Sequence, residues 1–275
     1  MKRLVPFLLA GLMAIAAQPS PRRTANFRKS ASQPRPSSAL VDPNDRVFTD
    51  LAAGGGWETL ITFVNMSGSA ASFTLTFYDN NGNPRAMPLL NSDGSVSRLS
   101  SVDFLLDFNT TNELVLPNVD RNAISAWSYL SLSGDTRGVA ALAVVRYKDA
   151  KGTVIAEGTQ GLANTQDYDF FAVFDNLDGV STGLVLVNPG NAGVASVTLS
   201  AQDAHGNEIV SDRFSLPAGT RTVITLPTTY PALGGTSGKV RVTADVNTIS
   251  AVSFRVSPAG NLTYAPIFNW SGLFR

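Results

Sequence analysis

"FTLTFYDNNGN" runs from Phe73 to Asn83, and "VTLSAQDAHGN" runs from Val197 to Asn207. Each alternates apolar and polar residues and then ends in Asp-x-x-Gly-Asn. A period of two puts one face in a core and the other toward solvent, as a β-strand requires. Asn, Asp and Gly accept the positive φ of a hairpin turn. The two stretches read as one strand and its turn, written twice.

The match extends outward in both directions. "GWETLITFVN" (Gly56 to Asn65) pairs with "GVSTGLVLVN" (Gly179 to Asn188) at an offset of 123, so Thr59 meets Thr182 and Asn65 meets Asn188. At offset 124, Asp79 meets Asp203 and Gly82 meets Gly206. Later the offset is 110: Phe104 and Leu106 meet Phe214 and Leu216, and Ala141 meets Ala251. The change from 124 to 110 means that about 14 extra residues lie in the first copy between Asn83 and Phe104. Ordered similarity of this length marks a tandem repeat of one domain.

Period two persists elsewhere. Ile61 and Phe63 alternate with Thr62 and Val64, and Val102, Phe104, Leu106 and Phe108 alternate with Asp103, Leu105 and Asp107. Turn signals such as "NSDG", "KDAKG" and "SPAGN" separate the runs, and no amphipathic helical stretch appears. "LPTTYPALGG" (Leu226 to Gly235) has room for one short helical turn. Many short strands without helical periodicity predict an all-β fold of two tandem antiparallel Ig-like β-sandwich domains. The "T-x-x-x-x-V-N" strand and the strand-and-turn ending in "D-x-x-G-N" resemble the Ig-like sandwich repeats of uncharacterised secreted bacterial proteins. The resemblance covers Val47 to Phe268. It implies a sandwich fold and carries no functional residues. The Ig disulfide and its Trp-to-Cys spacing are missing, because the chain has no cysteine.

The N-terminus reads as an export signal. Lys2 and Arg3 precede an apolar stretch to Ala17, and Ala14-Ile15-Ala16 supplies the small-x-small pattern that signal peptidase needs. The expected division is a signal peptide (1–17), a disordered Pro/Ser/Arg-rich linker (18–45), a first repeat (46–170) and a second (171–275). The protein is expected to be secreted, extracellular or periplasmic, and bacterial. The absence of cysteine excludes a lipobox anchor, disulfides and thiol catalysis. Eight of the 21 basic residues lie before Val47, against two of the 21 acids. The body is therefore mildly acidic with scattered charge, which argues against nucleic-acid binding.

No catalytic, cofactor or metal site is expected. His205 sits at a turn tip where the first copy has Asn81. The four glutamates, Glu58, Glu113, Glu157 and Glu208, read as surface or loop positions, and Ser181, Val223 and Pro84 stand where Glu58, Glu113 and Glu208 would repeat. Glycoside hydrolysis needs two acids across one cleft. Asp79 with Asn81, and Asp175 with Asn176 and Asp178, offer oxygen ligands for calcium, but not in the EF-hand spacing, and Asx-stabilised turns are the expected reading. Trp57, Trp127 and Trp270 are candidates for a sugar-stacking platform. Val180 and Ser237 replace the first two in the second copy, so packing is expected instead. "DYDFFAVF" (Asp167 to Phe174) reads as a segment that closes the first sandwich and enters the second, with Phe170, Phe171 and Phe174 at the junction.

The function expected from these features is non-enzymatic extracellular adhesion or scaffolding. The alternative is a carbohydrate-binding module. Expected partners are cell-surface or extracellular proteins or polysaccharide. Nucleic acid is not expected as a partner, nor is membrane after signal cleavage.

Overall fold

The computed structural model describes residues 46–133, 138–164, 168–190, 193–246 and 248–269. The expected signal peptide and linker lie outside the described residues, as does Trp270.

Among the described residues the chain is built of antiparallel strands. The first unit contains β1 (Arg46–Ala53), β2 (Trp57–Asn65), β3 (Ala71–Tyr78), β4 (Met87–Leu90), β5 (Val96–Leu99) and β6 (Ser101–Leu106). It continues with β7 (Thr111–Leu116), β8 (Ile124–Ser133), β9 (Val139–Lys148), β10 (Val154–Gly161) and β11 (Ala163–Asn164). The second unit contains β12 (Asp169–Asp175), β13 (Ser181–Val187), β14 (Ala195–Asp203), β15 (Glu208–Leu216) and β16 (Arg221–Thr225). One helical turn, α1 (Leu226–Thr229), and a 3-10 turn (Pro231–Leu233) follow, where the sequence has room for them. The unit ends with β17 (Ser237–Ala244), β18 (Ser250–Val256), β19 (Leu262–Ala265) and β20 (Phe268–Asn269).

The first unit pairs a five-stranded sheet, β11-β1-β8-β3-β6, with a four-stranded sheet, β10-β9-β2-β7. The second has β15-β14-β17-β12-β20 and β16-β13-β18-β19. Strand for strand, this is the same order. Phe73 pairs with Phe104 and Val197 with Phe214, the register that offsets of 124 and 110 require. Each pair of sheets encloses its own core. Phe48, Ile61, Phe63, Phe73, Leu75 and Leu130 are among the buried residues of the first. Phe170, Phe174, Leu184, Leu199, Val240 and Val242 are among those of the second. Burying each such side chain stabilises by about 1.5–3 kcal/mol.

The repeated polar residues hold the sheets together. Thr59 on β2 donates its hydroxyl to the Ala52 carbonyl on β1 at 2.7 Å, and Thr182 does the same to Asp175 at 3.0 Å. Each is a staple between two sheets. Asn65, fully buried, donates to the carbonyls of Ser69 and Leu106. Asn188, also fully buried, donates to those of Gly193 and Leu216. An unpaired buried carbonyl costs about 1–3 kcal/mol, so an Asn at this strand end is required in both units.

The extra residues of the first unit form the hairpin β4–β5, whose Met87 and Leu89 are fully buried in the first core. In the second unit α1 and the 3-10 turn put Leu226 and Leu233 into the core instead.

Four expectations need correction. β12 does not close the first unit: it pairs only with β17 and β20 of the second, and β11 on the edge of β1 closes the first. A boundary between residues 170 and 171 would cut β12. Phe170 and Phe174 accordingly fill the second core, and Phe171 faces outward against Phe268. The offset at β8 and β17 is 112, not 110: Thr74 pairs with Ser131 where Thr198 pairs with Thr243. The helical connection before β17 supplies the two additional residues, so Lys239, rather than Ser237, stands where Trp127 does. Finally, β6 ends at Leu106, and Phe108 is exposed in the turn beside Asn109, whose φ is +54°.

Candidate functional site

The residues singled out for chemistry are used in structure. His205 donates only its backbone N–H within its turn, to Asp203 at 2.8 Å. Asp203 also accepts from the N–H and the side-chain amide of Asn207. Asp79 makes the same three bonds with Asn81 and Asn83. The Asn207 amide and N–H hold the Asp203 carboxyl below its ordinary range. Partial burial pushes Asp79 up, but its bonds from Asn83 and Asn81 outweigh that and leave it lowered.

Asp175 accepts from the Leu177 N–H and the Arg255 guanidinium, and Asn176 is buried between Leu233 and Thr182. Among the described residues no three His, Asp or Glu side chains converge as a metal cluster.

Glu58 is buried rather than on the surface, and bonds Lys148 at 2.9 Å. Pairing with Arg146 on both sides puts Glu58 and Glu157 in one cross-strand row, with the guanidinium between them bonding Glu157. Both carboxylates are committed to cations, the usual arrangement of a cross-strand charge ladder. Glu113 lies on β7 opposite Thr62, and Glu208 on β15 accepts from the Ser200 hydroxyl at 2.9 Å. Trp57 packs on Tyr147 with ring centres 5.0 Å apart.

Trp127 is buried, and it leads to the first of two sites the sequence hid. It stacks on Tyr78 at 4.6 Å, donates its indole N–H to the Asp79 carbonyl at 3.0 Å, and clusters with Val47, Tyr129 and Val187. Val187 belongs to the second unit, so the outer face of β1, β3 and β8 is a junction between units. A polar cluster seals its edge. In β1 two residues, Thr49 and Asp50, stand where β12 has Val173 alone, a β-bulge between Phe48 and Leu51. A bulge re-aims a side chain, and here Asp50 forms a salt bridge with Arg221 of β16 and accepts the Tyr264 hydroxyl at 2.8 Å. Gln160 donates to the Asp50 carbonyl and accepts from Thr49. Burial, then the neighbouring Asp50 charge, holds the Tyr264 hydroxyl well above the ordinary phenol range. The tip of the opening hairpin docks here too: Arg221 donates its N–H to the Asn80 carbonyl at 3.0 Å.

The second site is the corresponding outer face of the second unit, which is open. Ser211, Ser200, Arg241 and Phe171 lie side by side across four strands, and Phe268 completes the row. A parallel row carries Glu208, Gln202, Lys239 and Val173. All of these but Phe268 and Val173 line a depression of about 480 Å³. Alternation on β12, β14 and β17 makes their positions legible as solvent-facing, whereas a register shift in β15 sets Glu208 and Ser211 three residues apart. The side-by-side placement of the rows was not legible, because strand order had to be known first.

No known family model matches the chain, and no curated protein matches it.

Proposed function

We propose that the chain is an exported, non-enzymatic adhesion or scaffold protein, made of two tandem Ig-like β-sandwich domains. The observation that carries this reading is the junction. Val47, Tyr78, Trp127, Tyr129 and Val187 are buried between the units, and Asp50, Arg221 and Tyr264 bond across its edge. A flexible linker between independent domains would need none of these contacts. A fixed pair transmits load from one unit to the other, which is what a scaffold needs. The engagement of Glu58 and Glu157 in ion pairs, and of Asp79, Asp203 and His205 in turns, supports a protein without catalysis. The test is co-sedimentation of the purified chain with the surface material of the producing cells, with that material assayed for cleavage. Binding without cleavage is expected. Cleavage, or no binding at any surface fraction, would overturn the proposal.

A further inference from the structure

A strand with one face in solvent alternates apolar and polar residues, whereas a strand covered on both faces is apolar throughout. β9 contains Val139-Ala140-Ala141-Leu142-Ala143-Val144-Val145, seven apolar residues in succession. Its inward residues Ala143 and Val145 are buried, but Ala140 and Leu142 are exposed on the other side, Leu142 at 45%. β13 has the same kind of run, Gly183-Leu184-Val185-Leu186-Val187, and there both faces are covered. Leu184 and Leu186 fill the second core, and Val185 and Val187, which point away from it, are fully buried too.

Register makes the two outer faces equivalent. Val64 pairs with Ala140 as Val187 pairs with Ser250. Thr62 pairs with Leu142 and Glu113 as Val185 pairs with Val252 and Val223. In the second unit this face is occupied by the aromatic outer face of the first, with Tyr78, Trp127 and Tyr129 clustered on Val187. In the first unit it is open. Val64 and Val144 are half-buried on it. Met66 continues the β2–β9 ladder by donating its N–H to the Gly138 carbonyl at 2.8 Å, and is 66% exposed. A contiguous apolar face of this kind marks an interaction surface.

We propose that the outer face of β10-β9-β2-β7 docks a sandwich domain of another protein through an aromatic sheet face, as the equivalent face of the second unit docks the first. The repeat itself argues for this occupant. The same backbone, with Val187 where Val64 stands and Val252 where Leu142 stands, already seats Trp and Tyr rings. Aromatic and apolar anchors are the groups on which protein interfaces centre. A second whole copy of this chain is a poor occupant, because its own aromatic face is buried at its junction. Glu113 adds a polar requirement. It borders the face on β7, and its Oε1 is buried without a hydrogen-bond partner among the described residues. A Tyr hydroxyl or Trp indole N–H of a docked aromatic face supplies the donor. A lipid surface is disfavoured: Glu58, Glu113 and Glu157 outnumber Arg146 and Lys148 here, and anionic lipid attracts cations.

This inference rests on the adhesion or scaffold reading and names its partner surface. The probe is the full chain carrying Val187→Asp, which sets a charge against Trp127 and Tyr129, opens the junction and frees their face. It is immobilised, and the parent chain is passed over it in biolayer interferometry. Binding is expected, weakened about tenfold or more when the passing chain carries Leu142→Glu or Met66→Ser/Leu142→Ser. Val96→Glu, on the β4–β5 hairpin, should bind as the parent does. The immobilised parent, its aromatic face covered, should capture little. If Val187→Asp fails to fold, Asp50→Ala/Arg221→Ala opens the same junction from its edge and takes its place as the probe. No binding to the opened chain, undiminished binding by Leu142→Glu, or equal capture by the immobilised parent overturns the proposal. So does sedimentation of the parent with phosphatidylcholine–phosphatidylserine vesicles that Leu142→Glu abolishes. In the surface co-sedimentation assay Leu142→Glu should lose the parent's binding. Surface binding that survives in Leu142→Glu overturns this face as the docking surface and leaves the adhesion reading standing. A parent that binds the opened chain but no surface fraction overturns the adhesion reading alone.

Discussion

Asp50 and Arg221 stand 171 residues apart in the chain and form a salt bridge across the junction of the two units. Their burial is unequal. The Arg221 side chain is 4% exposed and that of Asp50 23%, and the Arg221 Nε has no hydrogen-bond partner among the described residues. Removing the acid strands the more deeply buried charge, whereas removing the base leaves Asp50 with Tyr264 and some solvent. Breaking a buried pair by deleting one partner costs about 3–5 kcal/mol. Asp50→Ala should cost that much, and Arg221→Ala about half. Urea unfolding of both variants checks the order, and an equal or reversed cost would show that the bridge is not the seal described.

The Tyr264 hydroxyl is held neutral by burial and by the Asp50 carboxylate, which accepts its hydrogen bond. Its folded pKa lies above the unfolded value of about 10. The stabilisation is therefore complete below about pH 10 and is lost as pH rises toward the folded value. Tyr264→Phe removes the ionisable group. The parent's stability should fall faster than the variant's between about pH 9 and 11, measured by denaturant midpoints. Parallel curves would refute the assignment.

Gly82 and Gly206 occupy the same place in the two copies of the opening hairpin, with φ of +83° and +88°. Alanine at either pays the left-handed strain of about 1–2 kcal/mol. Only Gly82 meets the other unit: a Cβ there would lie 2.6 Å from the Gly219 carbonyl oxygen, whereas nothing lies within 4 Å of one at Gly206. Gly82→Ala should cost clearly more than Gly206→Ala and should loosen the junction, seen as two thermal transitions in place of one. Equal costs and unchanged melts would mean the hairpin tip does not bear on the second unit.

Asp79 and Asp203 both have lowered carboxyl pKa values in the folded chain. Their ionised forms bond two backbone N–H groups each. This stabilisation is present above the unfolded value of about 3.9 and is lost as pH falls through the folded values. The double variant Asp79→Asn/Asp203→Asn keeps the shape without the charge. It should be less stable than the parent at neutral pH, with the gap closing by about pH 2. A gap that stays constant across that range would assign the turns' contribution to shape alone.

Strands and turns were legible in the sequence because period two and Asp-x-x-Gly-Asn are local signals. The paired motifs also fixed register, since Thr59, Asn65 and Asp79 make the same bonds as Thr182, Asn188 and Asp203. The junction was not legible. It depends on one inserted bulge residue, Asp50, meeting Arg221, and no local pattern marks such a pair. Trp127 alternated like a packed residue, but its partner Val187 lies in the other unit. "DFFAVF" misled because its aromatic density suggested a junction, when alternate residues simply fill the second core. The open face was hidden for a related reason: Phe171, Ser200 and Arg241 become neighbours only through the order β14-β17-β12.

The junction also predicts how the units behave when separated. The first contributes Val47, Tyr78, Trp127 and Tyr129 to the shared cluster, and the second contributes Val187. Around it the second unit offers Arg221 and Tyr264, which are polar at their tips. Each unit has its own core and its own closing strand, β11 or β20, so residues 46–164 and 168–269 should both fold. Their solubility should differ. The first alone exposes a contiguous aromatic patch on a sheet face, the kind of surface that drives self-association. The second alone exposes Val187, Leu262 and the Tyr264 ring, spread among polar groups rather than gathered in one aromatic patch. Light scattering should show residues 46–164 associating at micromolar concentration and residues 168–269 remaining monomeric. Trp127→Ser with Tyr129→Ser should restore the first to a monomer. If the first unit is monomeric without those changes while the second associates, the junction's apolar surface has been assigned to the wrong partner.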